Sequence, residues 1–253
     1  MALILRPDDT INEISMTSST TPTGRQSYHH GNLREEMIRC GREILASKGV
    51  HGLTLRSAAK LAGVSHGAPR NQFADKEGLL AAIATEGFRE LVAVRRARLS
   101  REMNAEVRLL TVMDGYIEFA VKHPALFYLM FGPQIEDKEK YPELLEAGNA
   151  SYQLLSGAVR DYFQENHLAE QFDDMMVRCA WSAMHGVSMF FSAKPTGPSP
   201  RPKVALAQWR QSVQQFVLTG LLAAGRKKAA AASQPSHAAA SKPRARPRAA
   251  TQS

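Results

Sequence analysis

Between residues 32 and 224 apolar positions recur every three or four residues, and no alternating run bounded by hairpin turns breaks the pattern. The pattern predicts a chain of helices. "NLREEMIRCGREILASKG" sets Leu33, Met37, Cys40, Ile44 and Leu45 on one stripe, with Asn32 as opening cap and Gly49 as stop. "TLRSAAKLAG" repeats this in short form: Thr54 caps, Leu55, Ala58, Ala59 and Ala62 face inward, and Gly63 ends the helix. Asp75 caps a long helix, "KEGLLAAIATEGFRELVAVRRARL". Further helices are expected at about 104–122, 124–131, 143–166, 171–192 and 203–224, with Pro124 in a first turn, where a missing N–H is tolerated. "YFQENHLAEQFDD" reads as a solvated turn region, and "SAKPTGPSPRPK", from Ser192 to Lys203, carries four prolines and reads as a loop. Short connections predict a bundle, so the expected fold class is all-α.

The stretch "AGVSHGAPRNQF" places Gly63, Gly67 and Pro69 directly after a good helix. A short helix, a tight turn and a second short helix make the helix-turn-helix that docks in the DNA major groove. Gly63 suits a turn residue at positive φ, the small Ala59 permits close helix approach, and Val64 plugs the angle. Ser65 is the expected cap of the second helix, which puts Pro69 near its fourth residue, where only about one hydrogen bond is forfeited. Gly67 and Ala68 leave the helix start without bulk. Arg70 and Asn71 carry the groups that read guanine and adenine, and Phe73 closes the helix on the core. A helix–glycine–helix corner also occurs in all-α proteins that never meet DNA, so spacing alone leaves both readings open.

Charge changes the picture in two places. The chain has 253 residues and a formal net charge of +8, yet seven unopposed cations lie between Gly225 and Ser253: Arg226, Lys227, Lys228, Lys242, Arg244, Arg246 and Arg248. The rest is nearly neutral, so the high pI describes a tail. Between Arg25 and Asp75, by contrast, eight cations face four acids, the sign a phosphate-contacting face requires. Residues 1–26 end in a Ser/Thr-rich stretch and read as a disordered arm, with Met16 as an alternative start; residues 226–253 read as a basic disordered tail. "SKPRARPRAA" within it only faintly matches a minor-groove hook, lacking the central glycine. The two cysteines, Cys40 and Cys179, form no disulfide framework and read as reduced. No signal peptide or spanning segment is expected, and the expected location is the cytoplasm, at the nucleoid.

The run from His29 to Leu80, "HHGNLREEMIRCGREILASKGVHGLTLRSAAKLAGVSHGAPRNQFADKEGLL", resembles the DNA-binding domain of TetR-family transcriptional regulators. The matching parts are the first helix ending "ASKG", the "LTLRSAAKLAGVS" helix and turn, and the exit at Phe73, Asp75, Lys76 and Glu77. "YHHGNLR", "HPALFYLMFG" (His123 to Gly132) and "WSAMHG" (Trp181 to Gly186) resemble the branch with a Trp/His-Gly signature in its C-terminal domain, extending the likeness over about residues 28–224. The resemblance implies a three-helix DNA-binding domain at 27–75, an effector-binding and dimerisation domain at 76–225, and a homodimer on a palindromic operator of double-stranded DNA. It implies phosphate contacts from Thr54, Ser65 and Lys76, and a recognition helix from Ser65 to Phe73 with His66, Gly67, Ala68, Arg70 and Asn71 toward DNA. Members commonly have tyrosine where this chain has Arg70, and often histidine where it has Gln72; the aromatic phosphate contact is thus lost, and the Arg70 guanidinium is open either to read a base or to grip a phosphate. A repressor released by a small molecule is the implied function.

The family's four-helix dimer interface would use helices 171–192 and 203–224, with Phe190, Phe191, Trp209, Phe216 and Leu221 as apolar seam candidates. Met113, Phe119, Phe127, Met130 and Phe131 cluster at helical spacing and read as core or as a lipophilic effector pocket. Trp181 and His185, four apart on one face, read as packing or as a pocket wall with a polar handle. His29 and His30 are adjacent and the cysteines isolated, so no metal is expected, and no cofactor. No glycine elbow, phosphate loop or paired carboxylates point to an enzyme. Two other readings stay open: an architectural binder indifferent to sequence, acting through its tail, and a helical interaction protein with a vestigial DNA domain.

Overall fold

The computed structural model describes residues 33–65, 67–192 and 205–233. Among them eight α-helices and three short 3-10 turns account for the fold, and no strand is present. The chain is all-α, as its periodicity predicts. The expected arm at 1–26, the Asn32 cap, the proline-rich loop after Ser192 and the tail beyond Ser233 lie outside the described residues.

Helix α1 (Leu33–Gly52) buries Met37, Ile38, Cys40, Ile44 and Leu45, and its regular geometry breaks at Gly49 (φ 70°), the predicted stop. Helix α2 (Leu55–Leu61) opens with a reciprocal cap. The Ser57 amide donates to Thr54 Oγ1, and the Thr54 amide donates to Ser57 Oγ, both at 2.9 Å; such a cap stabilises a helix by about 1 kcal/mol. It ends where Gly63 turns left-handed (φ 68°). There the Val64 amide donates to Ala59 O at 3.1 Å and the Gly63 amide to Lys60 O at 3.3 Å. This is a Schellman termination, which glycine favours because a Cβ is strained at that φ.

The second helix of the corner departs from expectation. Ser65 caps nothing. The segment is a four-residue 3-10 turn, Ala68–Asn71, opened by Gly67 without a side-chain cap. Pro69 explains this: it has no N–H to bond back to Ser65, and its ring disfavours α geometry at Ala68. The bonds that form are short-range, Arg70 N to Gly67 O at 3.3 Å and Gln72 N to Pro69 O at 2.9 Å, the 3-10 pattern. Phe73, 4% exposed, still anchors the turn to the core.

Asp75 then caps α3 (Lys76–Arg96) by accepting from Gly78 N at 2.8 Å. Asn104 caps α4 (Ala105–Lys122) in the same way, and Pro124 opens α5 (Pro124–Phe131). Helices α6 (Pro142–Glu165), α7 (Asp174–Ser192) and α8 (Leu206–Ala232) complete the bundle. Helix α3 packs on α6, α4 on α6 and α7, and α7 on α8. Two regions read as solvated are structured. In the acidic connector Phe163 and Leu168 are buried. Helix α8 continues seven residues past Gly225, so Arg226–Ala232 are helical and not tail. A Cβ at Gly225 would sit 2.9 Å from Leu168 Cδ1; glycine lets α8 close over the connector. Lys228 then pairs with Asp173, and the alanines that follow are strong helix formers.

Candidate functional site

Two features stand at opposite ends of α3. The first is the corner. Thr54, Ser65, Gly67, Arg70 and Asn71 are exposed, and neither Arg70 nor Asn71 spends its side chain on a hydrogen bond or ion pair among the described residues. His66 lies outside the described residues, and Ala68 is placed only as the first residue of the 3-10 turn. Nothing lies within 4 Å of where a Cβ on Gly67 would sit, so the backbone is open to approach. Between Glu43 and Asp75 the chain carries Lys48, Arg56, Lys60 and Arg70 and no carboxylate, and none of these four cations forms an ion pair among the described residues. The neighbouring acids are already engaged: Glu36 and Glu43 with Arg39, and Glu90 with Arg42. The Arg39 guanidinium holds the Glu36 carboxyl below its usual range. Two expected phosphate contacts are partly used within the fold: Thr54 in its cap, and Lys76, whose Nζ donates to Val50 O at 2.9 Å. That bond ties the start of α3 to the end of α1.

The second feature is a cavity of about 260 Å³ lined by side chains from α3 to α7. Of the predicted pocket residues, Met130, Phe131 and Trp181 line it. Met113, Phe119 and Phe127 do not; they are at most 3% exposed and belong to the packed core. His185 supports the wall from outside: its ring stacks on Trp181 at 5.0 Å, and its Nδ1 lies 2.8 Å from Tyr116 Oη. Burial lowers the His185 pKa, favouring the neutral ring, and raises that of Tyr116.

The group missed in the sequence is Arg95, which lines the cavity and is 1% exposed. Its Nε donates to Val112 O at 3.0 Å, and its Nη1 donates to Ser151 O at 3.1 Å and Ser151 Oγ at 3.0 Å. Its Nη2 has no acceptor among the described residues. Burial lowers its pKa to about 10. The guanidinium lies 5.6 Å from the centre of the Tyr116 ring, and Gly115 makes room for it: a Cβ there would lie 2.9 Å from Arg95 Cγ. A signal existed. Phe88, Leu91, Val92 and Arg95 share one helical stripe, all buried, so a cation stands where the pattern calls for an apolar residue.

The expected dimer residues lie on α7 and α8. Phe190 and Phe216 are 52% and 73% exposed, and Trp209 packs between Phe190 and Phe191 at 5.1 and 5.5 Å. Leu221 is buried within the chain at 5% exposure; it floors a groove between α7 and α8 and is not itself a projecting seam residue. Among the described residues no cluster of three or more His, Cys, Asp or Glu side chains could hold a metal, and no helix is long and apolar enough to cross a membrane.

Residues 109–216 match the family model of the tetracyclin repressor-like C-terminal domain. Over that segment, less than half of the chain, this is a tetracyclin repressor-like C-terminal domain. Its helices superpose on solved structures over most of their lengths. A protein of unknown function from Rhodococcus sp. RHA1 is 28% identical, with a TM-score of 0.63, covering 78% of this chain and 98% of that one. The transcriptional regulator FadR from Bacillus subtilis, solved in complex with stearoyl-CoA, is 20% identical, with a TM-score of 0.57 over 74% and 98%. The TetR-family regulator PfmR from Thermus thermophilus is 16% identical, with a TM-score of 0.53 over 72% and 97%. At these identities the last two show a common fold. No match is found among the curated proteins.

Proposed function

We propose that this chain is a transcriptional regulator of the TetR family that binds a palindromic operator as a homodimer and is released from it by a small molecule held in the cavity. One observation carries the reading. The unpaired basic corner and the cavity are joined by a single helix: Lys76 ties one end of α3 to α1, and Arg95 lines the cavity at the other, about 28 Å away at 1.5 Å per residue. A ligand that shifts α3 would change the setting of the corner. Such coupling is reciprocal, so DNA would weaken the ligand by the same factor.

In this reading Thr54, Ser65 and Lys76 set the protein on the phosphates, His66, Gly67 and Ala68 lie toward DNA, and Arg70 and Asn71 read bases. The exposed Phe190 and Phe216 on α7 and α8 form the seam between protomers, setting two corners about one helical turn of DNA apart. The FadR complex, in which the same fold holds an acyl ligand, supports a lipophilic effector. The test is selection of bound duplexes from a random DNA pool with the full chain. A palindromic motif is the expected result. Binding without an enriched motif would favour an architectural role, and no binding would favour a helical interaction protein.

A further inference from the structure

We propose that the effector is an amphipathic monocarboxylate, its headgroup held by the free Nη2 of Arg95 and its apolar body lying among Phe88, Phe131, Leu144 and Trp181. The proposal rests on the effector reading of the cavity and names the chemical class that cavity takes.

Charge and donor accounting lead to it. A guanidinium has five N–H donors. In Arg95 three are used, one to Val112 O and two to Ser151, and the two on Nη2 are not. An unpaired charge in a dry interior is costly, and buried charges are normally paired or coordinated. Among the described residues Arg95 forms no ion pair, and no Asp or Glu lines the cavity. A second cation, Lys138, does line it; its ammonium donates to a carbonyl, Met130 O, at 3.4 Å. The site therefore has positive charge and spare donors but no acceptor of negative sign. The remaining walls are aromatic and aliphatic, which selects an apolar body. A planar carboxylate matches a guanidinium edge, and a single negative charge is easier to desolvate than a phosphate dianion.

Size limits the body. About 260 Å³ is the share of roughly eight to nine waters at about 30 Å³ each, which suits a medium-chain or aryl-alkyl acid. Arg95 also bridges α3 to α4 through Val112 and to α6 through Ser151, so a carboxylate drawing on the guanidinium acts on the junction of three helices.

The test compares three ligands of equal length, decanoate, decanol and decylamine, by calorimetric titration of the full-length protein without DNA. Decanoate should bind, and decanol and decylamine should bind at least ten-fold more weakly. Arg95→Met should weaken decanoate by about ten- to a hundred-fold, the range for losing a hydrogen bond to a charged group, while leaving decanol unchanged or tighter. The headgroup comparison needs no variant, so it decides the matter even if Arg95→Met does not fold. Equal binding of decanoate and decanol, preference for decylamine, or no binding of any probe overturns the proposal. Decanoate binding that leaves DNA affinity untouched upholds the site and overturns the coupling proposed above. An operator found for a protein that binds no carboxylate overturns the site and upholds the DNA reading.

Discussion

The two exposed glycines of the corner, Gly63 and Gly67, are expected to fail in opposite ways when given a methyl group. At Gly63 nothing lies within 4 Å of a Cβ, so a substitution there meets no clash. Its cost is conformational: φ is 68°, and an L-residue in that region is disfavoured by roughly 1–2 kcal/mol. The two hydrogen bonds that end α2, from Val64 to Ala59 and from Gly63 to Lys60, are strained with it. For a protein of this size, each kcal/mol lowers the melting temperature by roughly 2–4 °C, so Gly63→Ala should lower it by about 2–8 °C. Gly63→Asn should lose less, because asparagine tolerates the left-handed region. Gly67 has φ −83° and ψ −28°, which alanine adopts freely, in equally open space. Gly67→Ala should hold or raise stability, by about 0.4–1 kcal/mol, through the less flexible unfolded chain. If the Gly67 backbone approaches DNA, however, the methyl lies in the interface, and affinity should fall by about ten-fold, or 1.4 kcal/mol. Thermal unfolding and titration of a selected duplex read the two effects separately. An unchanged melting temperature for Gly63→Ala would refute the left-handed turn. Full DNA affinity in Gly67→Ala would remove Gly67 from the interface.

Three further outcomes are expected. Phe127, 0% exposed, is core and not pocket, so Phe127→Ala should cost about 3–5 kcal/mol in thermal unfolding; a cost under about 1 kcal/mol would return it to the pocket. Burial holds His185 and His123 below the ordinary histidine pKa of about 6.5. The unfolded chain thus takes up protons that the folded chain refuses, and stability present above about pH 6.5 is lost as pH falls toward the folded values. The melting temperature should drop between about pH 7.5 and 5.5, less so in His185→Gln, and an identical drop in both proteins would contradict this. Phe216→Glu places a charge on the most exposed aromatic of α8 and should convert a dimer to a monomer of 27.8 kDa in sedimentation; an unmoved dimer would place the seam elsewhere.

What could be read from the sequence was what local chemistry decides. Thr54 and Asp75 cap because short polar side chains precede apolar periodicity, and Gly63 turns because no other residue does so without strain. The α-helix expected from Ser65 was wrong because Pro69 outweighs a favourable cap, a competition that spacing alone does not weigh. Helix α8 ran on past Gly225 because its packing on Phe163 and Leu168, some sixty residues earlier, is non-local. The cavity was least legible. Its wall is drawn from five helices, so no single stretch reveals it, and Met113, Phe119 and Phe127 have the same spacing whether they face a ligand or the core. Arg95 stands beside Arg96 and Arg98 at a helix end, where arginines are ordinarily solvated; only its place on the stripe of Phe88, Leu91 and Val92 sets it apart from them.

The central claim is that the corner reads DNA, and the direct measurement is a parallel selection from one random duplex pool with the wild-type chain and with Arg70→Ala. Arg70 is exposed and its side chain is unpaired among the described residues, so the substitution should leave the melting temperature within about 1–2 °C, as surface changes of about ±0.5 kcal/mol do. The expected result is a palindrome from the wild type and the same palindrome from the variant, relaxed at one base pair in each half-site, with about 1–3 kcal/mol of discrimination lost there. An identical motif from both proteins, or none from either, would contradict the assignment of this face to DNA.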